Sequence, residues 1–222
     1  MTYTYTNRDR ARVDLPNQPV WVAANALYPR QVLVESASET RDRQDAIYVG
    51  RFEPKKKVHL ALRAFAESGL HRFGARLVMI GGGSGERELR DLADELQIGE
   101  HVAFPGWIDS AQALADRYAT TFVSVSPGFA GLGLTQSLGF GVPMIVAQNE
   151  PHSPEIELAE VGGVDWFDSD SVTSMSEALK RAWARRDQLP LNKVRDYVEG
   201  HYSAEMMAQG LLNALADRKD DV

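Results

Sequence analysis

"SVSPGFAGLGLTQSLGFGVPMIVAQN", residues Ser124–Asn149, sets glycines into the middle of an otherwise apolar stretch. The run ahead of Pro127 and the run Val142–Ala147 are both short, apolar and bounded by Gly or Pro, which reads as buried strand rather than helix. Between them Leu132–Gly139 reads as a helix. Strand, glycine loop, helix and strand together make the repeating unit of a parallel sheet. The glycines at 128, 131 and 133 let backbone N–H groups approach an anion, and a helix starting near Leu132 adds free amides and a positive dipole end. The stretch therefore reads as a phosphate seat at the carboxyl end of a strand.

The alternation continues in both directions. Further strands are expected at Val20–Ala23, Ala46–Gly50, Arg76–Ile80, His101–Phe104, Thr121–Val125 and Val164–Phe167. Helices are expected at Val58–Ser68, Glu86–Gln97, Ser110–Tyr118, Val172–Arg185, Asn192–Glu199 and Ala204–Ala216. The fold class is α/β, a parallel sheet with helices on both faces. The polar run Glu35–Asp45 reads as a linker, dividing an N-terminal appendage (1–45) from a main domain (46–200) and a C-terminal helix and tail (201–222). Four unusual loops follow strands: "GRFEPKKK", "GGGSGE", "SPGFAGLG" and "QNEPHSPE". Ligands of open parallel sheets bind beyond the carboxyl ends of the strands, so four such loops on one edge describe a cleft.

Composition narrows the ligand. The 222 residues are 44% hydrophobic and 25% charged, ordinary for a globular protein, with a net charge of −7 that disfavours nucleic acid or an anionic membrane as the main partner. The absence of cysteine excludes disulfides and thiolate metal sites. The N-terminal "MTYTYTNRDRARVD" lacks the apolar segment of a signal peptide, and no apolar run is long enough to span a bilayer. The expected location is cytoplasmic, with any contact to the inner face of a membrane made through a partner.

"YVGRFEPKKKVHLALRAFA", "LVMIGGGSGERELRDLADEL", "HVAFPGW" and "SPGFAGLGLTQSLGFGVPMIVAQN" occur in that order. The series resembles the C-terminal, donor-binding half of the retaining glycosyltransferases built from two facing Rossmann-like domains (the GT-B type, group 1), such as sucrose synthases, glycogen synthases and bacterial mannosyltransferases. The resemblance runs from about Val20 to the C-terminus and implies transfer of a sugar, with retention, from a nucleoside diphosphate sugar. It implies no metal and no other cofactor, and an acceptor, glycan or lipid, held mainly by a first domain that is largely missing here.

Transfer builds negative charge on the departing diphosphate, so fixed cations and amides aimed there lower the barrier. The resemblance assigns this role to Arg51 and to Lys56, five residues on. Arg51 offers a planar fork and Lys56 a point charge, while Lys55 and Lys57 read as solvated. It further implies contacts to the nucleotide sugar from Gly50, Gly82, Gly83, Gly128, Phe129, Gly131 and Leu132. Gly81–Gly83 alone could equally close a turn, and Trp107, where the family places the base, could equally be packing. The family usually carries two glutamates around the glycine loop. Here Pro127 stands near the first and Gln136 at the second, where it can still bond a ribose hydroxyl. "PHSPEIE" is similar to a Pro-Glu segment in members without the paired glutamates, which brings in Glu155. His152 is the histidine of a cleft loop, and "DSD" at Asp168–Asp170 reads as the start of a helix.

A second reading stays open, that of a non-catalytic nucleotide-sugar-binding or regulatory module paired with another chain. The last helix, "AEMMAQGLLNALA", is apolar over much of its circumference, so self-association or a separate acceptor-domain chain is expected.

Overall fold

The computed structural model describes residues 1–35 and 42–216. Six parallel strands form the sheet: β1 Asp45–Arg51, β2 Arg76–Gly82, β3 Val102–Gly106, β4 Thr121–Ser126, β5 Met144–Ala147 and β6 Val164–Phe167, in the order β3-β2-β1-β4-β5-β6. The central strands are buried on both faces and therefore mostly apolar, with Thr121, Ser124 and Ser126 as buried polar residues of β4. In β5 the alternation is plain: Ile145 and Ala147 join the core on one face, Met144 and Val146 the core on the other. β2 does the same, with Leu77 and Met79 against Val78 and Ile80.

The helices are α1 Tyr5–Asp14, α2 Arg30–Glu35, α3 His59–Ser68, α4 Glu86–Glu95, α5 Ala111–Ala119, α6 Leu132–Gly139, α7 Val172–Ala184, α8 Asn192–His201 and α9 Ala204–Leu215. Side chains of α3, α4 and α7 build one core, and those of α2, α5, α6 and α8 the other. Local chemistry sets several ends. Ser110 and Ser171 cap α5 and α7 by accepting from the amides of Ala113 and Ser174, and α3 stops at Gly69, which takes the left-handed conformation at φ 68°.

Two expectations need correction. Val20–Ala23 is no strand of the sheet: Val22 makes an isolated bridge to Thr2, and the segment lies under α9. There a methyl group on Gly210 would stand 1.8 Å from the Val22 carbonyl oxygen. The N-terminal appendage also contains helix. α1 has no buried residue, so no apolar stripe announces it. Its start is held instead by Glu157, which accepts from the amides of Tyr5 and Thr6 at 3.0 and 2.8 Å. The expected linker falls in part on residues 36–41, outside the described residues. On α9, Leu211, Leu212 and Leu215 are exposed. No helix among the described residues is long and apolar enough to cross a membrane.

Candidate functional site

With this strand order the chain leaves β1 toward β2 and β3 on one side, and β4 toward β5 and β6 on the other. The loops after β1 and β4 therefore diverge and open a crevice at the carboxyl ends of those strands. A cleft of about 340 Å³ lies there, lined by Gly50 and Lys56 from the first loop and by Phe129, Gly131, Leu132 and Gly133 from the second.

Pro54 starts the short helical turn Pro54–Lys56, which folds the first loop back over the cleft. The Lys56 ammonium donates to the Phe129 carbonyl oxygen at 3.0 Å and lies 4.5 Å from the Phe129 ring centroid. Burial, and next the nearby Arg51 charge, hold Lys56 below the usual lysine range, with Glu53 partly offsetting them. Arg51 ends β1 with its side chain 66% exposed and its guanidinium 3.0 Å from Glu53. Lys56 thus stands in the cleft over the glycine loop, while Arg51 lies near it at the end of β1 without lining the cleft.

The second loop is shaped by close backbone contacts. A methyl group at Gly128 would stand 2.5 Å from the Lys55 carbonyl oxygen, so glycine is what lets the two loops touch. Gly131 caps α6, whose Leu132 and Gly133 line the cleft, and the leading amides of a helix have no partner within it. Ala130 is strapped to the loop after β5: its amide donates to His152 Nδ1 at 3.1 Å, and its carbonyl accepts from the Ser153 amide at 2.9 Å. Because Nδ1 accepts, Nε2 carries the proton, which it gives to the Ala147 carbonyl oxygen at 2.8 Å. His152 therefore holds the glycine loop in place through both ring nitrogens.

Other expected residues fall into place differently. Gln136 is 7% exposed, and its amide accepts from the Tyr118 hydroxyl and donates to the Tyr28 hydroxyl. Gly81 and Gly83 serve packing. Methyl groups there would stand 1.9 Å from the Gly50 and 2.8 Å from the Phe52 carbonyl oxygens, and the Phe52 amide donates to the Gly82 carbonyl at 2.9 Å. Trp107 is exposed, its indole nitrogen 3.1 Å from where a methyl on Gly82 would sit. Glu155 is buried, lines the cleft and accepts from Asn25 Nδ2 at 2.7 Å.

Sequence reasoning passed over Asn25 and misjudged Lys57. Lys57 reaches Glu150 at 2.6 Å and Asp170 at 2.9 Å, tying together the loops after β1, β5 and β6. Its ammonium lies above the usual lysine range, chiefly through the bonds to Asp170 and Glu150. A run of three lysines hides which one faces inward. Asp170 serves that ion pair and Ser171 caps α7, as a helix start requires. Among the described residues no group of three or more His, Cys, Asp or Glu is placed to hold a metal ion.

The sequence model of the glycosyl transferases group 1 family matches residues 31–202. A Mycobacterium tuberculosis protein, GDP-mannose-dependent alpha-(1-6)-phosphatidylinositol monomannoside mannosyltransferase, is 27% identical over 192 residues, 81% of this chain and 49% of its own. The chain thus spans about half the length of the curated relatives it matches. Among solved structures, sucrose-phosphate synthase from Thermosynechococcus elongatus superposes with a TM-score of 0.72 at 18% identity, covering 97% of this chain and 57% of the other. Anabaena HepE, solved in complex with UDP and glucose, superposes with a TM-score of 0.69 at 13% identity, covering 88% and 56%. At such identities these two structures establish the fold alone.

Proposed function

Because this chain belongs to the glycosyl transferases group 1 family, we propose that its cleft binds a nucleoside diphosphate sugar and forms the donor half of a retaining glycosyltransferase. The observation that carries this reading is the meeting of Lys56 and the start of α6 at the crevice between β1 and β4, with Arg51 at the end of β1 close enough to act on the lysine's charge. As the bond between the sugar's anomeric carbon and the diphosphate oxygen breaks, its electron pair stays on that oxygen. The two cations and the amides of Leu132 and Gly133 meet the growing charge. The freed phosphate oxygen takes the proton of the acceptor hydroxyl, which bonds to the anomeric carbon on the same face. No protein base is needed in this half. The mycobacterial relatives are GDP-mannose-dependent by name and HepE was solved with UDP, so guanosine and uridine donors come first. We propose that the acceptor is held by a second folded unit, so that the isolated 222-residue chain binds donor but transfers poorly. Family membership disfavours the purely non-catalytic module.

A thermal-shift panel of nucleoside diphosphates and their sugars tests the reading. A ligand at a hundred times its Kd adds about 2.7 kcal/mol of stability and a clear rise in Tm. A panel without any shift would remove the proposal.

Lys56 supplies a second check. In the free chain its pKa is lowered, and a bound diphosphate favours the charged form and raises it again. Binding is therefore expected to take up a proton at the lysine in alkaline buffer. Affinity should fall as pH rises through the lowered value. Calorimetry in buffers of different ionisation enthalpy reads the uptake, and Lys56→Met should abolish it.

A further inference from the structure

Glu155 sits on the short helix Pro154–Glu160 after β5, only 2% exposed. One carboxylate oxygen, Oε1, accepts from Asn25 Nδ2 at 2.7 Å. The other, Oε2, is buried and has no hydrogen-bond partner among the described residues. A buried acceptor left unpaired is costly, so such an atom in a cleft wall points to a donor that arrives with a ligand. Asn25 and Glu155 line the same cleft as Lys56 and the start of α6.

Which part of the ligand arrives there follows from the strand order. Along the carboxyl edge the strands run β3, β2, β1, β4, β5, with the diphosphate seat at the crevice between β1 and β4. On the β3 side Trp107 presents an indole that is 56% exposed, a flat apolar surface on which a base can stack. Glu155 lies on the opposite, β5 side. A nucleoside diphosphate sugar with its base toward β3 and its diphosphate at the crevice therefore directs its glycosyl group toward β5.

We infer that Glu155, oriented by Asn25, is a specificity-determining residue that accepts a hydrogen bond from a hydroxyl of the donor's glycosyl group. This rests on the reading of the cleft as a nucleotide-sugar site. The contact also gives the N-terminal segment a part in the site, because Asn25 reaches the carboxylate from a stretch that packs under α9 rather than from the sheet. A ligand ending at the diphosphate leaves Oε2 unpaired, and one carrying a sugar satisfies it.

The test compares wild type, Glu155→Gln and Asn25→Ala by calorimetry, using whichever nucleoside diphosphate and matching nucleotide sugar stabilise the wild type. Glu155→Gln keeps the side chain's shape, and its Tm and circular dichroism show that the fold persists. Expected is a loss of about tenfold or more in nucleotide-sugar affinity with less than about threefold change for the nucleoside diphosphate, and a smaller loss of the same kind for Asn25→Ala. Deoxyfluoro donors, each lacking one hydroxyl donor, should include one that weakens wild-type binding but not that of Glu155→Gln. Equal losses for both ligands would place Glu155 on the ribose and overturn the inference. So would unchanged affinity for both, in which case Oε2 is satisfied by water. A wild type that binds neither ligand would instead bring down the nucleotide-sugar reading itself.

Discussion

Replacing Arg51 and Lys56 together by alanine is expected to lower nucleoside diphosphate affinity by at least about a hundredfold while leaving the chain folded. Hydrogen bonds to charged groups are each worth about 1.5–3 kcal/mol, so losing two costs about 3–6 kcal/mol of binding. The fold should tolerate the change. Arg51 is two-thirds exposed and, among the described residues, ion-paired with Glu53, and Lys56 adds one bond to a backbone carbonyl. The single substitutions should be unequal. Lys56 already stands over the glycine loop, whereas Arg51 must turn away from Glu53 before it can grip a phosphate, so Lys56→Ala should cost more. Titration calorimetry with circular dichroism on the same samples checks both halves. A double variant that binds as wild type does would mean that the cations have been given the wrong task.

The second large effect is expected at Gly128. A methyl group there would lie 2.5 Å from the Lys55 carbonyl oxygen and 3.1 Å from the Lys56 carbonyl carbon, both backbone atoms that cannot rotate aside. Gly128→Ala must therefore push the glycine loop off the Pro54–Lys56 turn, separating the Lys56 ammonium from Phe129 and widening the seat. Overpacking of this kind costs about 1–3 kcal/mol in stability, and diphosphate affinity should fall more than about tenfold. Gly200→Ala is the control. It lies in α8 with nothing within 4 Å of the added methyl, so helix propensity should raise Tm slightly without touching binding. At Gly131 the added group would meet the Ser153 hydroxyl at 3.0 Å, a side-chain atom that can turn, so Gly131→Val should weaken binding with less effect on stability. Equal stability of Gly128→Ala and wild type would show that the loops need not touch.

Much of this architecture is legible in the chain because the sheet is buried on both faces. A short apolar run after Gly-Val-Pro marks β5, and α6 falls at Leu132–Gly139 as its pattern predicts. What escaped is held by partners distant in sequence. α1 depends on Glu157, 152 positions from Tyr5, and no local apolar stripe replaces that anchor. Val22 has the look of a strand residue because it is buried, but it is buried in the core built with α2, α5, α6 and α8 and pairs only in an isolated bridge to Thr2. In the cleft, loop positions were readable from strand ends, whereas side-chain direction was not. Gln136 sits on the helix that starts at the seat, yet Tyr28 and Tyr118 bond its amide, and nothing in the run of three lysines marks Lys56 as the one that reaches the Phe129 carbonyl. The pairing of Asn25 with Glu155, 130 positions apart, left no mark in either segment.

The most direct measurement of the central claim is a crystal structure of the chain grown with the nucleoside diphosphate sugar that stabilises it best. The account predicts the diphosphate in the crevice between β1 and β4, its oxygens about 3 Å from the Lys56 ammonium and from the amides of Leu132 and Gly133, with Arg51 turned from Glu53 toward them. A diphosphate bound elsewhere, with that crevice unchanged and Lys56 still on the Phe129 carbonyl, would contradict it.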